Sequence, residues 1–368
     1  MRALKISFGV FIVLALLLAG FVAFHFYSNV AVTTDEVYRD DEAEQAQRAA
    51  DNFVRVIQET LGEYAARGAH AKGHACVKAY FEIDPDLEQR LRHGVFGRPG
   101  HVFKSWIRFS NGASNLAKSH DGKKDSRGMA IKLINIQDSG LALAEDDSSE
   151  IQDFLMHNNP VFFSANIEDY NKLVESENKI LSFFDSANPF NWRIRELSHV
   201  FDTLAPPPHS PLHDDYFSNT AYKLGPHNIK FSAQPCEAGP QQAEIPENNP
   251  DFLQQRLRET LADADACFAF KIQLQDAGKY MPIEDPSIEW KQEDSPYRQV
   301  ATIRIPQQQV DAPEQKQFCE NLAFSPWHGL AAHRPIGQLN RIRKQVYAAS
   351  SEYRHRHNNT GPPLDLDW

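Results

Sequence analysis

The chain has 368 residues, of which 42% are hydrophobic and 24% are charged; this is an ordinary globular composition and excludes disorder over most of its length. The formal net charge of −11 argues against a nucleic-acid partner, because binding to phosphates requires clustered lysines and arginines. The four cysteines have no CxxC spacing, which argues against a zinc ribbon or a thioredoxin-type redox site. We expect one catalytic body.

The chain begins with an almost unbroken apolar run. It covers residues 6–27, about 22 residues, and is long enough to cross a bilayer as a helix. Arg2 and Lys5 precede it, so the positive-inside rule predicts that residues 1–28 are a single-pass membrane anchor and that the catalytic domain lies on the extracytoplasmic, periplasmic side. A cleaved signal peptide is the alternative, although the run is longer than a usual signal segment and no small-x-small site follows it.

A stalk with an amphipathic helix is predicted for residues 29–66. Between Asp40 and Leu61 the apolar residues Phe53, Ile57 and Leu61 follow at intervals of four, which is the spacing of one helix face. We expect this helix to dock on the body of the protein.

The rest of the chain combines strands and helices. Strand signals lie at residues 105–109, 128–134, 160–163, 268–274 and 300–305, and helical stretches at residues 251–262 and 336–353. Many short strands separated by long loops predict an antiparallel sheet closed into a barrel. The predicted class is therefore α+β, an antiparallel β-barrel with flanking helices. No Gly-rich phosphate loop of the nucleotide-binding types is found.

The first segment that could carry chemistry is RGAHAKGH at residues 67–74. His70 and His74 are four residues apart, which on a helix would form a metal-binding face. Two glycines weaken that helix. As a loop that enters a strand, the segment instead offers one histidine to a pocket, with Arg67 three residues earlier. Taken alone, it is equally consistent with a surface loop.

Three further segments each have a purely structural interpretation when taken alone. Arg108 stands between apolar neighbours and needs an anionic partner if it points inward. The paired asparagines before Pro160 are ordinary turn chemistry. Arg343 and Tyr347 lie one helical turn apart, so the guanidinium can reach the phenol oxygen and favour the phenolate, the form that binds ferric iron.

Taken together, in this order and spacing, the four segments resemble the haem catalases. The matching motifs are RxxHAKGxAxxxxYFE at 67–82, RFSN at 108–111, DSRGMAIK at 125–132, NNPVFF at 158–163, and RxxxY with a later arginine at 343–354. The resemblance implies a catalase-type barrel and proximal helix over residues 67–358, followed by a tail at 359–368, with haem b as the cofactor.

The resemblance also implies roles for single residues around the iron. His70 corresponds to the distal base that moves the peroxide proton, Asn158 to the asparagine that hydrogen-bonds the peroxide, and Ser110 to the serine that orients the histidine. Tyr347 corresponds to the axial iron ligand. Arg343 corresponds to the arginine that keeps this phenolate charged.

Further residues are implied in holding the macrocycle. Arg67, Arg108 and Arg354 correspond to the arginines that clamp the haem propionates. Phe163 and Tyr170 correspond to aromatic side chains that pack on the haem.

Two departures shift the expectation from a catalase towards a short catalase-related peroxidase. His157 replaces the first residue of the usual asparagine pair, and the sequence ends about 21 residues after Tyr347, where full-length catalases continue. We therefore expect a haem peroxidase that reduces hydrogen peroxide or organic hydroperoxides at the expense of an unidentified small-molecule electron donor. Residual catalase activity and a homodimer are compatible with this expectation.

Other functions remain open at this point. A haem enzyme that rearranges lipid hydroperoxides, a non-catalytic haem-binding protein and a non-haem metal protein that uses His70 and His74 are the alternatives. Separately, Cys236 ends one predicted strand and Cys267 begins another, so antiparallel pairing of these strands would permit a disulfide in an oxidising compartment.

Overall fold

The computed structural model describes residues 2–27, 33–141, 149–240, 245–246 and 249–368. The strands are β1 (Gly73–Ile83), β2 (Val102–Asn111), β3 (Arg127–Leu133), β4 (Gln152–His157), β5 (Tyr216–Phe217), β6 (Tyr222–Leu224), β7 (His227–Pro235), β8 (Ala266–Leu274) and β9 (Arg298–Ile305). The α-helices are α1 (Arg2–Tyr27), α2 (Glu42–Glu59), α3 (Ile167–Glu175), α4 (Ile194–Thr203), α5 (Phe252–Asp263), α6 (Pro313–Asn321) and α7 (Gln338–His357). Short 3₁₀ helices lie at Gln89–Leu91, Gly94–Gly97, Leu116–Lys118, Gln137–Ser139, Leu181–Phe184, Pro189–Asn191, Pro211–His213 and Ala331–His333.

The sheet closes into a barrel, as predicted. Eight strands form the ring β1-β2-β3-β4-β5-β7-β8-β9, in which β5 pairs with β7 and β9 pairs with β1, while β6 extends β7 outside the ring. The pairings between these strands are antiparallel. The α+β class with an antiparallel barrel is confirmed.

Phenylalanines fill the interior of the barrel. The rings of Phe154 and Phe270 lie 4.9 Å apart between centroids, those of Phe81 and Phe270 lie 5.0 Å apart, and Phe231 contacts both Phe154 and Phe270. All four belong to one buried cluster. The barrel is therefore solid, so a ligand site must lie outside it.

One predicted strand is wrong. Residues 160–163 are not a strand, because β4 ends at His157 and Pro160, which lacks an amide donor, lies in the bend that follows. The amide of Phe162 donates to the carbonyl of Pro286 instead of to a neighbouring strand. This bend turns the chain towards α3.

The amino-terminal run forms α1. Among the described residues, no helix combines the length and the apolar character needed to cross a membrane. The predicted anchor is therefore not supported. The rings of Phe21 and Phe24 lie 5.6 and 5.1 Å from that of Phe190, and His25 is buried. The predicted boundary between anchor and stalk, at residues 28 and 29, lies outside the described residues.

The amphipathic helix predicted from residue 40 onward is α2, and it packs against α7. Ala46, Ala49 and Ala50 form a buried cluster with Ile342 and Val346. Small residues on α2 let the two helices approach closely. The helix that carries the predicted iron ligand is thereby fixed to the body from its outer side.

Two disulfides join distant parts of the body. Cys236 is bonded to Cys267, which confirms the pairing inferred from the two strand ends. Cys76 of β1 is bonded to Cys319 of α6 over a sequence separation of 243 residues. Sequence spacing offered no signal for this second bond, because it depends on where the chain places α6.

Candidate functional site

A cavity of about 870 Å³ lies between the outer face of the barrel and a layer of helices. The outer faces of β2, β3 and β4 form the barrel wall, and α2, α3, α4 and α7 contribute the helical wall. A volume of this size is in the upper part of the range of about 300–1,000 Å³ typical of ligand pockets.

The alternation of side chains along the strands selects what reaches this cavity. On β2, Ile107 and Phe109 point into the barrel core, so Arg108 and Ser110 point outward to the cavity. On β4, Met156 lies in the core and His157 faces the cavity. The polar residues at these positions are therefore directed to one site by the strand period alone.

His70 lies in the loop before β1, and its backbone is held in an unusual conformation. Its φ of 54° is in the left-handed region, which costs a non-glycine residue roughly 1–2 kcal/mol. The loop is fixed by hydrogen bonds from the His70 amide to the Gly112 carbonyl at 3.0 Å and from Arg108 Nη2 to the His70 carbonyl at 2.9 Å. The strain is thus compensated by bonds that set the direction of the ring.

Ser110 orients the His70 ring, and Gly128 leaves space for it. Nδ1 lies 3.0 Å from Ser110 Oγ, as the resemblance implied. A Cβ at Gly128 would lie 2.6 Å from Nδ1, so the glycine leaves the space that the imidazole needs. Burial, then the neighbouring His157 and Arg108, hold the pKa of His70 well below its usual value. The ring is neutral near pH 7 and can act as a base.

His157, the last residue of β4, and Asn158, which follows it, are oriented differently from the prediction. The side-chain carboxamide of Asn158 was predicted to face the peroxide. Its Nδ2 instead donates to Asp214 Oδ2 at 3.0 Å, and its Oδ1 accepts from the Arg127 backbone amide at 2.8 Å. It does not line the cavity. His157 lines it instead, with its ring centroid 4.7 Å from that of His70.

The opposite wall carries the predicted iron ligand. Tyr347 lines the cavity from α7, and Arg343 Nη2, one turn earlier, donates to its Oη at 3.0 Å. Burial acts to lower the pKa of Arg343, but the hydroxyls of Tyr347 and Tyr222 outweigh it, so the pKa is raised and the guanidinium stays charged. Asn340 Oδ1 accepts from Arg343 Nη1 at 2.9 Å and fixes the group in place.

Three arginines converge at one end of the cavity, around Glu320. Arg67 Nη1 donates to Glu320 Oε2 at 2.7 Å, Arg354 Nη1 donates to the Glu320 carbonyl at 2.7 Å, and Arg108 Nη2 lies 3.8 Å from Oε1. Sequence reasoning missed Glu320, because a lone glutamate on a polar helix carries no signal of its own. Three cations and one carboxylate leave an excess of positive charge.

This excess charge matches a ligand with two carboxylates. Burial and the neighbouring Arg67 lower the pKa of both Arg108 and Arg354 to about 9, and the buried Nε of Arg108 has no hydrogen-bond partner within the described part of the chain. Haem carries two propionates, whose charges would compensate the two excess cations. The residues present therefore fit a haem, and Tyr347 on the helical wall would supply the oxygen ligand of its iron.

Aromatic side chains line the space for a flat ring system. Phe163 lines the cavity as predicted, together with Phe162 and Tyr170. The Phe163 ring lies 6.0 Å from that of Tyr170 and 4.4 Å from that of Phe162. Burial raises the pKa of Tyr170, so this phenol stays protonated.

The non-haem alternative finds no supporting geometry. His74 is buried, and its Nε2 lies 2.9 Å from Asn111 Oδ1. No group of three or more His, Cys, Asp or Glu side chains suited to a metal ion occurs in the part of the chain that the structure describes. His74 is thus a polar residue of the core, on a strand and not on a helix with His70.

Comparison with known proteins agrees with this geometry. The structure is similar to a fungal catalase at 17% identity and a TM-score of 0.63, and to catalase A from Saccharomyces cerevisiae at 18% and 0.64; each alignment covers 92% of this chain and 72% of that protein. A bacterial catalase matches at 17% identity and a TM-score of 0.61, over 92% of this chain and 66% of that one. The chain has the catalase fold.

Part of the sequence also matches a family model. Residues 47–180 match the family model described as Catalase. The matched range contains His70, Arg108, Ser110, His157 and the barrel wall of the cavity. No match is found to curated proteins. The family match and the catalase fold together support the catalase superfamily and an oxidoreductase that acts on peroxide.

Proposed function

We propose that this chain is a haem-dependent peroxidase that reduces hydrogen peroxide or organic hydroperoxides, in which Tyr347 would hold the iron. The observation that carries the proposal is the pairing of two walls in one cavity. Arg343 and Tyr347, 3.0 Å apart, stand on the helical wall, while His70 and Ser110, also 3.0 Å apart, stand on the barrel wall. A haem carrier without turnover needs no oriented neutral base.

The haem, when bound, supplies the redox-active iron. The residues of this chain act around it. Arg343 donates to Tyr347 Oη and holds this oxygen in place, while Arg67, Arg108 and Arg354 would bind the propionates.

His70 moves the proton of the substrate. Ser110 fixes Nδ1, which leaves Nε2 to accept the proton from one peroxide oxygen and to deliver it to the other as the O–O bond breaks. With an organic donor AH₂ the balanced reaction is ROOH + AH₂ → ROH + H₂O + A. With a second hydrogen peroxide as the donor, the products are water and dioxygen.

The shape of the cavity supports organic hydroperoxides as substrates. Ile180, Phe201 and Leu204 line it, yet they are 57%, 61% and 40% exposed, so they form an apolar rim open to solvent. An apolar rim suits a hydrocarbon chain better than it suits hydrogen peroxide. The same feature favours rearrangement of lipid hydroperoxides as a second candidate, which would yield an isomer and consume no donor.

An extracytoplasmic location is part of the proposal. The bonds Cys76–Cys319 and Cys236–Cys267 support it, because disulfides persist mainly in oxidising compartments. The use of a small-molecule electron donor and the formation of a homodimer are also predictions.

The test uses the full chain supplied with haem. We expect a ferric haem spectrum with a tyrosinate ligand, and reduction of cumene hydroperoxide to its alcohol with oxidation of a dye donor. Tyr347→Phe should lose that spectrum. Tyr353→Phe, on the same helix but outside the cavity, is the matched control and should keep it. Failure of the chain to bind haem, or equal spectra in the two variants, would overturn the proposal.

A further inference from the structure

The end of β4 presents two polar side chains in different directions. His157, the last residue of the strand, faces the cavity, because Met156 before it points into the barrel core. The imidazole planes of His157 and His70 make an angle of 76° at a centroid distance of 4.7 Å. Two imidazoles therefore meet at the same part of the barrel wall.

Both polar side-chain atoms of Asn158 form hydrogen bonds outside the cavity. Its Oδ1 accepts from the Arg127 amide at 2.8 Å, its Nδ2 donates to Asp214 Oδ2 at 3.0 Å, and its own amide donates to the Arg127 carbonyl at 3.0 Å. These three bonds tie the end of β4 to the start of β3. Release of the carboxamide towards the cavity would break the hydrogen bonds to Asp214 Oδ2 and to the Arg127 amide, which costs free energy unless these groups find new partners.

We infer that His157, and not Asn158, provides the second hydrogen bond to the peroxide beside His70. Asn158 then has a structural role, in which its hydrogen bonds join the end of β4 to the start of β3. The inference rests on the proposed function, because it assigns a role at the same haem site.

The hydrogen-bonding capacity of His157 supports this role. Among the described residues, the His157 side chain makes no hydrogen bond, although it is largely covered. Burial and the charge of Arg343 lower the pKa of His157 to about 4, so the ring is neutral and has one N–H donor and one acceptor nitrogen. Because this polar side chain has no hydrogen-bond partner among the described residues, it is available to a ligand in the cavity.

The division of work between the two histidines follows from their surroundings. His70 has Nδ1 engaged by Ser110 and uses its other nitrogen as the base that takes the peroxide proton. His157 donates its N–H to a peroxide oxygen and exchanges no proton, so the overall reaction stays balanced as written above. The hydrogen bond stabilises the negative charge that develops on the departing oxygen.

The matched variants are His157→Leu, His157→Asn and Asn158→Ala in the full chain loaded with haem. The first measurement is the affinity for cyanide, which binds ferric haem and depends on a distal hydrogen-bond donor. We expect His157→Leu to weaken cyanide binding at least tenfold and His157→Asn, which retains a donor, to stay within threefold of the wild type. Asn158→Ala should also stay within threefold but lower the thermal unfolding temperature.

The second measurement is the rate of reaction with cumene hydroperoxide under single-turnover conditions, which should follow the cyanide affinities. A tenfold loss in both measurements for Asn158→Ala with none for His157→Leu would overturn the inference while leaving the proposed function intact. The same holds if His157→Ala, a second truncation, binds cyanide as the wild type does. Absence of haem binding in the wild type would overturn the inference and the proposed function together.

Discussion

Removal of one arginine from the cluster around Glu320 should affect the haem-free and haem-bound protein in opposite directions. Arg354 is the most informative position, because it is buried and, among the described residues, its Nη1 donates only to the Glu320 carbonyl, at 2.7 Å. Arg108 also holds the His70 loop, so its replacement would disturb the base as well. The perturbation is Arg354→Gln.

In the haem-free chain the variant should be more stable. The pKa of Arg354 is lowered from 12.5 to about 9, first by burial and then by Arg67, which corresponds to a penalty of at most about 5 kcal/mol on the charged side chain. Glutamine removes this penalty and forfeits one hydrogen bond, worth ~1 kcal/mol, together with some packing. We expect the free energy of unfolding to rise by roughly 1–3 kcal/mol.

In the haem-bound chain the same change should be harmful. Loss of a charge-assisted hydrogen bond to a propionate costs about 1.5–3 kcal/mol, which is roughly a 10- to 150-fold weaker haem affinity. The assays are thermal unfolding of the haem-free chain and titration with haem followed in the visible spectrum. Arg356→Gln, whose side chain is 72% exposed beside Glu352, is the control and should change neither quantity. A haem-free variant that is less stable and binds haem with unchanged affinity would refute the reasoning.

Three further predictions follow from single contacts. Gly128→Ala should reduce the rate with peroxide at least tenfold at unchanged haem content, because the new Cβ would lie 2.6 Å from His70 Nδ1. Gly62→Ala is the control, since a Cβ there meets nothing within 4 Å. Equal rates in the two variants would contradict this prediction. Burial and the nearby Asp169 raise the pKa of Glu196 to about 8, so its contribution to stability should fall between pH 4.5 and 8, as the unfolded chain ionises first. Glu196→Gln should flatten the pH dependence of unfolding by up to about 5 kcal/mol over that interval, and an unchanged curve would argue against a neutral buried carboxyl. Alkylation of the denatured chain without reductant should modify no cysteine, and any modified thiol would speak against the two disulfides.

The sequence predicted the barrel well, because period-two alternation and long loops are local signals. The strands around residues 105–109 and 268–274 and the disulfide between Cys236 and Cys267 depend on pairing between strands that the pattern already defines. The strand predicted at residues 160–163 was wrong, because the aromatic and β-branched residues there line a cavity and do not pair with a neighbouring strand.

The sequence motifs indicated which residues belong to the site but not which way their side chains point. The structure brings His70 and Ser110, from two different motifs, within hydrogen-bond distance, and it does the same for Arg343 and Tyr347 within one helix. The sequence did not predict that His157 lines the cavity in place of Asn158, because a shift of one residue at a strand end reverses which side chain faces the site. Glu320 was missed for a related reason: its partners come from three distant segments of the chain.

The most direct test of the account is the ligand environment of the bound iron, measured by resonance Raman spectroscopy on the haem-loaded wild type and Tyr347→Phe. The account predicts tyrosinate modes in the wild type, their loss in Tyr347→Phe, and their retention in Tyr353→Phe. A wild-type spectrum without tyrosinate modes, or one that Tyr347→Phe leaves unchanged, would contradict the assignment of Tyr347 as the axial ligand.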